Sequence, residues 1–168
     1  MLEPLIRAEP VPTAPVLRPG VTIRLAPPMV RYSLRARSAP AVAQFLGVTV
    51  PDKIGTTAGG LACLGPDEWL YRAAGGPLVR PDAGSMVAVT DISERAVCVI
   101  VEGRRAARVL MSGCPLDLDG FAVGRATRTI YESVEIILIR EADDCFHVEV
   151  WPSFAPWLWM ALTTAASH

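Results

Sequence analysis

Lysine is nearly missing from this chain. Of its 16 basic side chains 15 are arginine, and Lys53 stands alone. Histidine occurs only at His147 and His168, and the four cysteines (Cys63, Cys98, Cys114, Cys145) include no Cys-x-x-Cys pair. Those gaps exclude the common zinc patterns, which need four Cys or His ligands at short spacing. Gly75-Gly76 is not followed by Lys-Ser or Lys-Thr, so a phosphate-binding loop is not supported. No apolar run reaches the ~18 residues of a membrane span. The most apolar stretch, Trp151 to Ala166, is shorter and carries Pro152 and Pro156 near its start. The opening MLEPLIRAEPVP lacks the apolar centre of a secretory leader. A reducing cytoplasm is therefore the expected compartment. A net charge of −1 provides no field that favours nucleic acid or an acidic membrane, and neither is expected as a partner.

What is abundant is apolar surface, at 51% of residues, while charged residues make up 20%. The first figure lies above the usual share and the second below it. The surplus goes into a large core or faces a partner. A chain of 168 residues is one domain by length, able to bury roughly 70% of its unfolded surface. Pro4, Pro10, Pro12, Pro15 and Pro19 exclude a helix or a central strand over residues 1–20. The chain divides into a Pro-rich arm (1–20), read as an extended tail or a strap over a partner, and one α+β domain (21–168).

Alternation predicts strands at Val21–Leu25 and Val30–Ala36, the second with Tyr32, Leu34 and Ala36 on one face and Arg31, Ser33 and Arg35 on an exposed one. Ser38, Pro40 and Gly47 frame a short helix, and residues 54–60 read as a loop. A hairpin follows, Leu61–Leu64 and Trp69–Ala73, around a turn at Gly65–Glu68. Asp67 and Glu68 are neighbours pointing apart, which argues against a carboxylate pair. Residues 75–84 are a loop. Met86–Val89 leads through a turn, 90–95, whose Thr, Ser and Asp side chains suit bonds to its own backbone. The strand Ala96–Val101 is apolar on both faces, hence central.

Gly103 to Ser112 reads as a helix burying Ala106, Val109 and Leu110. Its Arg104, Arg105 and Arg108 lack interleaved aromatics, which points to a solvated or partner-facing side and not a nucleic-acid grip. Gly113 stops it. Cys114-Pro115 places a thiol at a turn, with His147 the one plausible internal base. Asp117 and Asp119 lack the spacing of a calcium loop; Asp117 is expected to tie the loop to backbone or to Arg125. Strands at Gly124–Tyr131, Val134–Arg140 and Cys145–Val150 form a meander, with His147 and Glu149 on an exposed face. Ser153 is the candidate cap of a final helix burying Phe154, Trp157, Leu158, Ala161 and Leu162.

Five segments then follow in order: LGPDEWL (Leu64–Leu70), TDISER (Thr90–Arg95), SGCPLDLD (Ser112–Asp119), GRATRT (Gly124–Thr129) and FHVEVWPSFAPWLW (Phe146–Trp159). Together they resemble the gamma subunit of heterotetrameric sarcosine oxidases over roughly residues 30 to 165. The Cys-Pro-Leu-Asp turn before the Gly-Arg strand is the most specific part. The resemblance implies an α+β fold like the folate-binding domain of aminomethyltransferases, mainly antiparallel sheet with two to three packed helices. It implies an assembly of alpha, beta, gamma and delta chains that oxidises an N-methyl amine such as sarcosine to glycine. The methyl carbon passes to tetrahydrofolate or leaves as formaldehyde, and oxygen becomes hydrogen peroxide. Flavins (FAD and FMN) belong to the beta chain and its border with alpha, NAD and folate to alpha, and zinc to delta. The gamma chain carries no catalytic, cofactor-binding or metal residues and packs against alpha. The alternative is a free-standing folate-binding or aminomethyl-transferring protein, with Asp91 or Asp117 as the acid facing the pterin.

Overall fold

The computed structural model describes residues 10–75, 81–82 and 84–168. In chain order the elements are β1 (Val16–Arg18), β2 (Val21–Leu25), β3 (Val30–Ala36), α1 (Ala39–Leu46), β4 (Thr57–Ala58), β5 (Leu61–Gly65), β6 (Glu68–Ala73) and β7 (Val87–Asp91). A 3-10 turn (Ser93–Arg95) leads to β8 (Val97–Glu102), α2 (Ala106–Met111), β9 (Ala126–Tyr131), β10 (Val134–Ala142), β11 (Cys145–Val150) and α3 (Ala155–Ala166). The strands form two antiparallel sheets, ordered β1-β2-β8-β11-β10-β9 and β4-β5-β6-β3-β7.

Each sheet turns one alternating set of side chains to helices. Ile23, Val99, Val101, Leu138, Phe146 and Val148 pack with Val109, Leu110, Leu158 and Leu162 of α2 and α3. Tyr32, Leu34, Leu61, Cys63 and Trp69 pack around Val42 of α1. The remaining faces of the two sheets meet through a small apolar contact, Ala62 and Leu70 against Ala126 and Ile139. The result is a helix–sheet–sheet–helix stack. β8 is central, as its apolar faces require, lying between β2 and β11. Cys63 and Cys98 are buried, as their apolar surroundings suggest, and all four cysteines are free thiols.

Several boundaries move for identifiable reasons. Of the arm, residues 1–9 lie outside the described residues, whereas Val16–Arg18 pairs with β2 as a sheet edge and Val11 is in the main core. Pro15 and Pro19 flank that strand without interrupting it, since an edge strand leaves one row of N–H groups unused. Thr57–Ala58 of the expected loop 54–60 pairs with β5. The loop 75–84 lies partly outside the described residues, and β7 runs from Val87 to Asp91. Helix α2 begins at Ala106 instead of Gly103, because Gly103 sits at φ 115°, which no helix accommodates. Phe154, not Ser153, caps α3. Turns that bond Phe154 and Ala155 back to Trp151 set the helix phase. The buried stripe is therefore Ala155, Leu158, Trp159 and Leu162, and Phe154 is exposed.

Gly113 has a different role from the helix stop the sequence suggests. The helix ends at Ser112 in ordinary right-handed geometry. A Cβ on Gly113 would lie 2.6 Å from the Tyr131 ring. That ring is fully buried, stacks edge-on against Trp157 at 6.2 Å and shares a hydrogen bond with the Ser112 hydroxyl at 2.8 Å. A methyl group has no room there. Gly113→Ala is expected to lower stability by about 1–3 kcal/mol, the usual cost of overpacking. The measurement is a urea midpoint; an unchanged midpoint would show that the Tyr131 ring yields freely.

Candidate functional site

The charged residues converge between the two sheets. Arg31 on β3 and Arg72 on β6 are direct cross-strand partners. Two guanidinium groups so placed repel. The facing sheet supplies the remedy from β11 and the end of β10. Arg31 Nε donates to Glu149 Oε2 at 2.7 Å, with both residues buried. Arg72 Nη1 lies 3.8 Å from Glu149 Oε1 and donates to His147 Nδ1 at 3.1 Å. Arg72 Nη2 donates to Glu141. Glu149 thus bridges both arginines. Ser93 of the 3-10 turn completes the grip, accepting the Arg31 N–H at 3.0 Å. The faces carrying Arg31 and His147–Glu149, expected to be exposed, are turned toward each other. Strand alternation reports which side chains share a face, and only the second sheet decides whether that face is covered.

The energetics favour holding over chemistry. Opposite charges near 4 Å attract by about 4 kcal/mol in an effective dielectric of about 20, and burying each ion costs several kcal/mol. The two nearly cancel. Moreover, Glu149 Oε1 and Arg72 Nε are buried without a hydrogen bond. The value of the cluster lies in the penalty for breaking it, which locks one sheet against the other. The imidazole of His147 is kept neutral: burial, then the Arg72 charge, push its pKa down, and Glu141 and Glu149 only partly oppose this. An arginine can only donate, so Nδ1 accepts and the ring proton sits on Nε2. Cys98, paired in register with Glu149, is held as a thiol, pushed well up first by burial and then by that carboxylate.

A second tie lies at the other end of the interface. Arg128 on β9 makes two hydrogen bonds to Glu68 on β6, one of them at 3.0 Å to Oε2. Arg35 reaches Glu68 at 3.2 Å and Asp67 at 2.9 Å. The Arg128 hydrogen bond holds the Glu68 carboxyl below its ordinary pKa. Asp67 and Glu68 are spent on arginines, in keeping with the turn reading. Cavities open at the edges of this interface. One of about 360 Å³ is walled by Pro27, Pro28, Met29, Arg72, Glu141 and His147, and one of about 170 Å³ reaches Glu149, Arg128 and Trp151.

Other residues singled out from sequence fall elsewhere. Cys114 is buried in the helix-side core, while His147 lies on the opposite face of the same sheet, so the sheet separates thiol from imidazole. Asp91 accepts from the Ser93 N–H at 2.9 Å and from its hydroxyl at 2.6 Å. Asp117 accepts from the Asp119 N–H at 3.1 Å, and Arg125 instead stacks over Phe121 at 5.6 Å. Both aspartates therefore hold their own turns. Among the described residues no three His, Cys, Asp or Glu side chains gather as a metal site, and no helix is long and apolar enough to cross a membrane.

Residues 34–168 match the sarcosine oxidase, gamma subunit family. The chain belongs to that family. It is 30% identical over 120 residues to the sarcosine oxidase subunit gamma of Corynebacterium sp. (strain U-96), an alignment covering 64% of this chain and 58% of that relative. The chain thus spans less than two thirds of that relative's length. Its structure is similar to a chain of the heterotetrameric sarcosine oxidase from Corynebacterium sp. U-96 in complex with pyrrole 2-carboxylate. There the TM-score is 0.78 at 29% identity, covering 88% of this chain and 84% of that one. The glycine cleavage system aminomethyltransferase T of Bartonella henselae shares the fold, with a TM-score of 0.61 at 16% identity over 85% of this chain and 45% of that one. The α+β, aminomethyltransferase-like fold expected from sequence is therefore the one found.

The segments that carry the family resemblance are also the segments joined across the sheets. Glu68 of LGPDEWL holds Arg128 of GRATRT, and Ser93 of TDISER holds the strand whose Arg31 grips Glu149 of FHVEVWPSFAPWLW. Sequence reading missed these pairs. The available signal was the polar set Arg31, Ser33 and Arg35 on one strand and His147 and Glu149 on another.

Two outcomes follow from this geometry. Glu149→Ala strands two facing arginines and should cost about 3–5 kcal/mol. An Arg31→Met/Glu149→Leu double variant should recover much of that, read as denaturant midpoints. The depressed pKa of His147 acts on stability below neutrality. At neutral pH both folded and unfolded forms are uncharged. As pH falls through the unfolded value near about 6.5 the unfolded chain takes up a proton first. Stability drops until the lower folded pKa is passed, and no further loss comes from this group. His147→Gln should flatten the decline between about pH 7.5 and 5.5; an identical slope in the variant would assign the decline to carboxylates.

Proposed function

We propose that this chain is a non-catalytic, structural gamma subunit of a heterotetrameric sarcosine oxidase-type complex. In this reading it contacts the alpha subunit directly, with beta and delta subunits in the same assembly. The complex demethylates sarcosine to glycine, passing the methyl carbon to tetrahydrofolate or releasing it as formaldehyde while oxygen is reduced to hydrogen peroxide. The flavins, NAD, folate and zinc are held by the other subunits.

The observation that carries this reading is the family match over residues 34–168, supported by likeness to a chain of a heterotetrameric sarcosine oxidase at a TM-score of 0.78. The chemistry of the interior agrees. The one partly buried histidine is neutral with Nδ1 occupied, its neighbouring carboxylates are engaged by arginines, and Cys98 is a protonated thiol. A general base needs a free lone pair within reach of a substrate proton; here His147 Nδ1 accepts from Arg72, and the Glu149 oxygen left without a hydrogen bond is buried.

Co-expressed with the alpha, beta and delta chains of its own source, the protein should co-purify in a stoichiometric complex that oxidises sarcosine. Expressed alone, it should show no flavin absorbance and no amine oxidation. Stoichiometric flavin on the isolated chain would overturn the reading.

A further inference from the structure

Most arginines among the described residues are neutralised or stacked. Arg24 pairs with Glu102, Arg31 with Glu149, Arg35 with Asp67, Arg72 with Glu141 and Arg128 with Glu68. Arg95 lies over Trp151, Arg125 over Phe121 and Arg140 over Phe146. Besides the isolated, exposed Arg37, the exceptions form a group where the β1–β2 turn meets the start of α2. Arg18, Arg104, Arg105 and Arg108 have no carboxylate within ion-pair distance among the described residues.

This cluster is built, not loosely scattered. Gly103 has φ 115°, and a Cβ there would lie 2.6 Å from the Gly20 carbonyl oxygen, so two glycines let the turn and the α2 approach touch. The Arg105 N–H donates to that carbonyl at 2.9 Å, and Arg105 Nη1 donates to the Pro19 carbonyl at 3.2 Å. The Arg104 and Arg105 side chains lie over Gly20, within about 3.2 Å of where its Cβ would stand. Arg18 Nε donates to the Ser167 hydroxyl at the end of α3 at 3.3 Å. Arg104, in the turn before α2, and Arg108, in the first turn of the helix, are both exposed. Positive charge is disfavoured at a helix N-terminus, and the first turn of α2 has no acidic residue to offset it. Among the described residues, positive charge is thus gathered here without carboxylates to offset it.

We infer that the Arg18–Arg104–Arg105–Arg108 face is the docking surface for a carboxylate-rich face of another subunit of the complex. The inference rests on the subunit reading above and adds the chemistry of the contact. Charge complementarity selects the occupant. A second copy of this chain would bring the same positive face and repel. A small anion would sit in open water, because the cavities of the cleft lie elsewhere and none of these four residues lines them. A nucleic acid would want exposed aromatic side chains for stacking and a net positive chain, and the net charge is −1. A protein surface with Asp and Glu at matching positions satisfies all four guanidinium groups. Arginine is the residue suited to such planar, two-point pairing with carboxylates.

The test uses the full chain and the purified alpha, beta and delta subunits, with affinity measured by biolayer interferometry across salt. Arg104→Glu/Arg108→Glu changes two exposed groups that make no hydrogen bond or ion pair among the described residues, so its melting temperature should stay close to that of the unaltered chain. Its affinity for the other subunits should fall by at least about tenfold, while Arg104→Lys/Arg108→Lys stays closer to the unaltered value. The affinity of the unaltered chain should also fall as salt rises. Equal affinity of all three chains, or an affinity indifferent to salt, overturns this surface while leaving the subunit reading intact. No assembly of the unaltered chain overturns both. Saturable binding of the isolated chain to a single-stranded oligonucleotide, lost on charge reversal, overturns the inference in favour of nucleic acid.

Discussion

The hydrogen bond from Arg31 to Glu149 is the constraint on which the architecture depends. Two sheets packed face to face usually meet through apolar side chains. Here the apolar contact is small, Ala62 and Leu70 against Ala126 and Ile139 with Leu64, Ile92 and Ile137 at its border, and it leaves much of how the sheets sit to other contacts. Charge completes the specification. An ion pair taken out of water adds little net stability, but any displacement that separates it leaves bare charges in a low-dielectric interior. The arrangement is thus selected by the cost of its alternatives. Glu149 answers two arginines that strand pairing forces side by side, so the second sheet needs the first in order to form its own β3–β6 pairing without repulsion.

Arginine runs through the rest of the molecule in the same role. Arg140 donates to the carbonyls of Leu118, Phe121 and Asp143 and lies 5.2 Å over the Phe146 ring. It thereby fixes the long connection between α2 and β9, the stretch that includes the Cys114-Pro115 turn and the paired aspartates. That connection looks like a site in sequence because it gathers a thiol, two acids and several arginines. In three dimensions the thiol enters the core, Asp117 closes its own turn, and Arg140 fastens the loop from the strand beside it. A lysine could not make these simultaneous planar contacts, which gives the near absence of lysine a structural use in this protein.

A fold shared with aminomethyltransferase T and a family known as a subunit of an oxidase fit one another through this interior. The fold is shared, and in this chain the polar groups between the sheets bind each other. On the surface stand the arginine face at the start of α2 and the half-exposed aromatics Trp151 and Phe154.

The amino-acid sequence by itself determined the elements and their local faces. β2 and β3 run where alternation places them, Gly47 ends α1 in the left-handed region, and β8 is central because both its faces are apolar. These follow from period and turn chemistry, which act within a few residues. The sequence also carried enough ordered motifs to resemble the right family. Only the tertiary structure decided that the polar faces of β3 and β11 are interior, that Cys114 and His147 lie on opposite sides of one sheet, and that Arg105 is bound to the β1–β2 turn. The physical reason is sequence distance: Arg31 and Glu149 are 118 positions apart. No local rule couples them, and a charged face reads as solvent-facing until another sheet closes over it with the opposite charge.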